Sequence, residues 1–97
     1  MSFALTVTFT LHPGRLDAFL PLMRANARTS LDMEPGCKVF DVAVPQDGAG
    51  DTVFLWEIYA DRAAFDAHLA SAHFRAFDSA TAAMVRKKTV RFYDVLP

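Results

Sequence analysis

From residue 3 the chain alternates strictly, with Phe3, Leu5, Val7, Phe9 and Leu11 on one side and Ala4, Thr6, Thr8 and Thr10 on the other. A period of two predicts a half-buried strand. His12-Pro13-Gly14 turns the chain, and Leu16, Phe19, Leu20, Met23, Ala27 and Leu31 then follow helical spacing to a stop signal, Glu34-Pro35-Gly36. Pro21 falls inside this helix; without an N–H, and crowding the preceding turn, it is expected to bend the helix without ending it. A second strand is expected over about 37–44, a hairpin loop at PQDGAGD, and a third strand over about 52–60. Asp61 is placed to cap a helix carrying Phe65, His68, Leu69 and Ala72 on one face. Helical spacing resumes through Phe74, Phe77, Thr81 and Met84 after a break near Ser71, and a last strand covers about 88–95.

The order strand, helix, strand, strand, helix, strand predicts an α+β, ferredoxin-like split βαβ plan: one domain over 1–97, an antiparallel sheet with helices on one face. The third strand does not fit a sheet with one wet face. Phe54, Trp56 and Ile58 are apolar on one side, while Val53, Leu55 and Tyr59, with Glu57, occupy the other. No third layer remains in the chain to cover the second face, so a second copy, sheet against sheet, is expected: a homodimer through the open sheet face.

Composition agrees with that surplus. Hydrophobic residues make up 53% of the 97 residues, above the usual share of about 45–50%. Ten basic against eleven acidic residues, net charge -1, give no field for gathering nucleic acid or an anionic membrane. Apolar runs stop short of the roughly 18 residues of a membrane span, and the N-terminus reads as a strand with no basic leader region. Cys37, the single cysteine, allows neither an intrachain disulfide nor a four-thiolate metal site, and it reads as a small apolar residue after a Pro-Gly turn. A cytoplasmic location is expected.

Candidate chemistry centres on the stretch FDAHLASAHF. His68, among Phe65, Leu69 and Ala72, faces the sheet, either as a hydrogen-bonded core histidine or as a functional one. His73 follows five residues later, an offset of about 140° on an unbroken helix, which is poor for chelation; no metal site is expected. A helix break at Ser71 would nevertheless bring both imidazoles to the mouth of one pocket. Glu57, on a central strand between Trp56 and Ile58, needs a partner. Arg91 or Lys88 across the sheet would serve, and so would a histidine from the covering helix. Asn26 looks either to solvent or along the pocket wall. Phe74, Phe77 and Met84 read as ordinary core, and Arg86-Lys87-Lys88 as a solvated basic start to the last strand or, alternatively, an anion-attracting group.

Taken together, PGRLDAFLPLMRANA, EPGCKVFDV, the Glu57-x-Tyr59 pair, AAFDAHLASAHF and RKKTVRFYDVLP resemble the antibiotic biosynthesis monooxygenase family. The likeness spans nearly the whole chain, and is strongest to the branch holding quinol monooxygenases and the isomerase that processes phosphorylated autoinducer-2. It implies a dimeric α+β barrel with a pocket in each subunit between sheet and helices. Carried over by position, it implies His68, Glu57 and His73 as catalytic residues and Asn26, Tyr59 and Phe40 as substrate-binding ones. It further implies His68 as base with Glu57 behind it, His73 at the entrance, and Asn26 and Tyr59 orienting substrate oxygens. The implied chemistry is monooxygenation of a quinol-like or polyketide-like aromatic with O2, without cofactor or metal, with small-molecule isomerisation or simple ligand binding as alternatives. Haem-degrading relatives carry Asn and Trp where Val7 and Tyr59 stand here, so haem degradation is not expected.

Overall fold

A computed structural model of the chain describes residues 1–48 and 50–97. The elements run β1 (Ser2–Leu11), α1 (Leu16–Met33), β2 (Cys37–Ala43), β3 (Thr52–Tyr59), α2 (Arg62–Ala70), α3 (Ala72–Thr81), a 3-10 turn (Ala82–Met84) and β4 (Val85–Val95). The strands form one antiparallel sheet in the order β2-β3-β1-β4. This is the ferredoxin-like α+β fold that the element order predicts, with the helices on one face. Among the described residues, no helix is long and apolar enough to cross a membrane. In the expected hairpin loop PQDGAGD, Ala49 lies outside the described residues.

The alternation in β1 is realised as read. Leu5, Val7, Phe9 and Leu11 are buried beneath the helices, and the register sets Leu5 opposite Glu57, Val7 opposite Leu55 and Phe9 opposite Val53, so these six side chains share one face. Phe19 of α1 is fully buried, its ring 5.1 Å from Phe9 and 5.7 Å from Phe77 of α3, which fixes α1 and α3 over the sheet. One continuous helix passes through Pro21. Two boundaries differ from expectation. Met84 belongs to the 3-10 turn and not to α3, and β4 begins at Val85, so the basic run lies within the strand. A register shift between Thr10 and Leu11 accommodates the extra residue there.

Two junctions position the site. At the end of α1, the residue before Pro35 is held out of the helical region, and Glu34 accordingly has φ -101° and ψ 110°. The Gly36 that follows lies hard against α2, where any Cβ would come 2.4 Å from that of Ala64. Only glycine lets the turn approach so closely. At the second junction Ser71 interrupts the helices: its Oγ accepts from the Phe74 N–H at 3.3 Å and donates to the His68 carbonyl at 2.6 Å. Ser71 thus ends α2 and caps α3 together. Asp61 caps α2 as expected, accepting from the Ala64 N–H at 2.8 Å.

Candidate active site

Between the helices and the sheet lies a cavity of about 280 Å³. Its floor is Leu5, Val7, Leu55 and Glu57, its roof Met23, Asn26, His68 and Phe74. The helices leave the inner side of β4 uncovered, so Val90 and Phe92, although they point the same way as Val7 and Leu5, are 39% and 50% exposed. The cavity opens along this strand. Cations stand at both ends of the opening. The Arg62 guanidinium lies over Phe3, Phe65 and Phe92, and the Lys88 ammonium over Phe9 and Phe74, at 5.4–5.9 Å.

His68 is 2% exposed, its ring packed among Phe40, Tyr59, Phe65 and Phe74. Its Nδ1 stands 2.8 Å from Glu34 Oε2. A carboxylate can only accept, so the ring hydrogen belongs on Nδ1 and the lone pair on Nε2. Ser30 Oγ, 3.4 Å away, flanks the same nitrogen while donating to the Asn26 carbonyl at 2.8 Å. Burial pushes the His68 imidazole below its ordinary pKa; the hydrogen bond and charge of Glu34 oppose this, and the charges of His73 and Lys88 add to it. The result is a neutral ring of fixed tautomer on the cavity wall.

His73 arrives at the same carboxylate from the other side, its Nε2 2.5 Å from Glu34 Oε2 and 3.2 Å from Ser71 Oγ. The break at Ser71 therefore removes the angular offset that an unbroken helix would impose. His73 does not line the cavity; it faces a groove between α1 and α3 walled by Ala25, Thr29, Ala76 and Ala80.

Glu57 is 3% exposed, and its Oε1 accepts a 2.7 Å hydrogen bond from the Tyr59 hydroxyl two residues along the strand. Burial raises its pKa to about 7, with the Tyr59 hydrogen bond and Lys88 pulling down and Glu34 pushing up. Of the partners expected from sequence, Arg91 lies on the opposite sheet face, beside Thr6, and Lys88 acts through its charge. Among the described residues no hydrogen bond joins Glu57 to His68; the carboxylate behind the histidine is Glu34. Tyr59 is fully buried, and burial and the Glu57 charge raise its pKa far above the ordinary range, so it remains a donor to Glu57. It does not line the cavity.

Asn26 lines both the cavity and the α1–α3 groove, is 4% exposed, and its Oδ1 has no hydrogen-bond partner among the described residues. An amide so placed is uncommitted and available to a bound molecule. Phe40 forms part of the cavity wall, while Cys37, its thiol pushed up to about 11 by burial, is an inert core residue.

The sequence model of the antibiotic biosynthesis monooxygenase family matches residues 2–80. The chain belongs to this family. Among solved structures it is similar to one named antibiotic biosynthesis monooxygenase, at 30% identity over 98% of this chain and 99% of that one, with a TM-score of 0.86. The Rv0793 protein of Mycobacterium tuberculosis gives 26% identity, 100% and 97% coverage and a TM-score of 0.87. A provisionally named antibiotic biosynthesis monooxygenase of Nitrosomonas europaea shares the fold, with a TM-score of 0.91 at 24% identity and 98% and 90% coverage. Among proteins of curated function, none matches. Glu34, read in the sequence only as part of a stop signal, is the residue that folding adds to the site.

Proposed function

We propose that the protein is a cofactor-independent monooxygenase acting on a phenol or hydroquinone. The observation that carries this reading is the buried His68, held by Glu34 with a basic Nε2 on the wall of an apolar cavity. Nε2 takes a hydroxyl proton from the substrate, and the electron-rich anion reduces O2, forming a carbon–oxygen bond and a peroxide anion. The protonated His68 returns its proton to the distal peroxide oxygen, giving a hydroperoxide; its O–O bond then breaks, and the departing hydroxide takes the hydrogen that the ring carbon gives up as a proton and leaves as water. A hydroquinone plus O2 thus becomes a hydroxyquinone plus one water. Asn26 and the Glu57 carboxyl, whose pKa burial raises to about 7, offer hydrogen bonds to the substrate oxygens.

The second sheet face supports a homodimer. Phe54 and Tyr93 are 40% and 37% exposed there, and Trp56 meets Tyr93 with ring centroids 6.0 Å apart. A pairing of these faces would create the dimeric barrel.

Oxygen uptake with a panel of hydroquinones is the test. One O2 consumed per hydroquinone, one atom of 18O2 in the product, and loss of both in His68→Ala are expected; conversion without O2 uptake would overturn the oxygenase reading. Lys88 and Arg62 at the opening favour one alternative, an isomerase of a phosphorylated carbonyl compound, for which the same base would catalyse enolisation. Tight binding of such compounds without turnover would instead indicate a ligand-binding module.

A further inference from the structure

Glu34 has two features that the base assignment does not use. Its Oε2 is shared by two imidazole nitrogens, while its Oε1 is buried with no hydrogen-bond partner among the described residues. A carboxylate with one oxygen doubly engaged and the other dry is incompletely solvated for a group whose side chain is 13% exposed. One oxygen of Glu34, Nδ1 of His68 and Nε2 of His73 all lie within 4.8 Å of one another.

We propose that Glu34, His68 and His73 bind one divalent transition-metal ion of the zinc type, on the far side of His68 from the cavity. Two imidazoles and one carboxylate are a donor set suited to borderline ions such as Zn2+ or Co2+, and leave a position open for water or for Ser71 Oγ. Around such an ion donor atoms stand about 3.3–3.6 Å apart, given tetrahedral bonds of about 2.0–2.2 Å. The observed 2.8 and 2.5 Å separations must therefore widen by about 0.5–1 Å. Glu34 can supply that movement, because it lies just beyond the last turn of α1 and, among the described residues, its side chain is hydrogen-bonded by the two histidines alone. The ligands come from three different elements, brought together by the Pro35 turn and the Ser71 break, and the α1–α3 groove beside His73 gives an ion a route from solvent.

Binding has a consequence at the cavity, and this consequence alone rests on the base assignment above. Nδ1 of His68 can carry a hydrogen or a metal, not both. With the ion bound, the neutral ring keeps its single hydrogen on Nε2, which becomes a donor toward the cavity and ceases to be a base. The ion and the base-competent tautomer are mutually exclusive, and bound metal switches the site off.

The experiment uses the full chain stripped with EDTA and titrated with Co2+ and then Zn2+. Expected are visible Co2+ d–d bands saturating at one ion per chain, their displacement by Zn2+, and a Zn2+-dependent rise in Tm. Glu34→Ala and His73→Ala should each weaken binding by at least about 100-fold, with circular dichroism in EDTA reporting that both variants fold. Zn2+ should inhibit turnover in parallel with site occupancy, and should lose that effect in His73→Ala. Absence of the Co2+ bands, or binding equally strong in both variants, overturns the site. Saturable binding that both variants lose but that leaves turnover untouched supports the site and refutes His68 as the base.

Discussion

His68 Nδ1 and Glu34 Oε2 are 2.8 Å apart although 34 positions separate them in sequence, one in α2 and the other just past the end of α1. This bond couples a buried imidazole facing the cavity to a carboxylate outside it, so the state of the base is set by a residue that need not touch substrate.

Glu34 therefore acts as a positioning residue, and Glu34→Gln should lower kcat by about 100-fold while leaving KM within a few-fold. The amide oxygen, with two lone pairs, can still accept from both imidazoles, but it carries no charge to stabilise the imidazolium that forms when His68 takes a proton. Rescue by Glu34→Asp to any extent greater than by Glu34→Gln would mark the charge as the active feature. An unchanged kcat in Glu34→Gln would remove the carboxylate from the mechanism.

Glu57 gives the fold a pH dependence of known sign. Its pKa rises on folding from 4.5 to about 7. Below the lower value both states carry the proton; between the two the folded state holds the proton that the unfolded chain has released, so stability falls as pH rises, and above about 7 the loss is complete. Glu57→Gln, which still accepts from Tyr59, should flatten this slope and be the more stable protein at pH 8, by on the order of 2–3 kcal/mol. Urea titrations of both proteins at pH 5 and pH 8 measure it; parallel slopes would show that Glu57 is solvated or paired in solution.

Gly36 is demanded by space, not by backbone angle. Gly36→Ala would set a Cβ 2.4 Å from that of Ala64, forcing α2 away from the Glu34 turn. A loss of about 1–3 kcal/mol is expected in denaturant unfolding, with a fall in kcat as His68 moves from Glu34. Full activity with lowered stability would mean that the turn yields and α2 does not.

How much of this was legible can be traced to particular residues. β1 announced itself because its face is set by local alternation, and Ser71 because a helix pattern lost phase there. Glu34 did not, since Glu-Pro-Gly reads first as a stop signal, and the distance to His68 is closed only by tertiary folding. One signal was present: an acid at the C-terminal end of a helix opposes the helix dipole, and so invites a search for a cation or donor nearby. Strand period put Tyr59 on the same face as Glu57, and the family resemblance implied that it orients substrate oxygens; neither tells that its hydroxyl is taken up by Glu57 and that it stays out of the cavity lining. The i, i+5 spacing of the histidines argued against a shared ligand only so long as their helix was continuous.

The open sheet face carries the last prediction. Phe54, Trp56, Ile58 and Tyr93 form an apolar patch on the side away from the helices, and each 100 Å² of such surface withdrawn from water contributes about 2.5 kcal/mol. Sedimentation equilibrium should therefore give twice the chain mass of 10.7 kDa, with blue-shifted emission from Trp56, the single tryptophan. Phe54→Glu places a charge within this patch, beside Trp56, where pairing would bury it, and should yield monomers with red-shifted emission. The wild-type chain sedimenting as a monomer at micromolar concentration, with Trp56 already quenched by water-soluble acrylamide, would leave the patch as a surface for some other occupant and separate the cavity's chemistry from dimer formation.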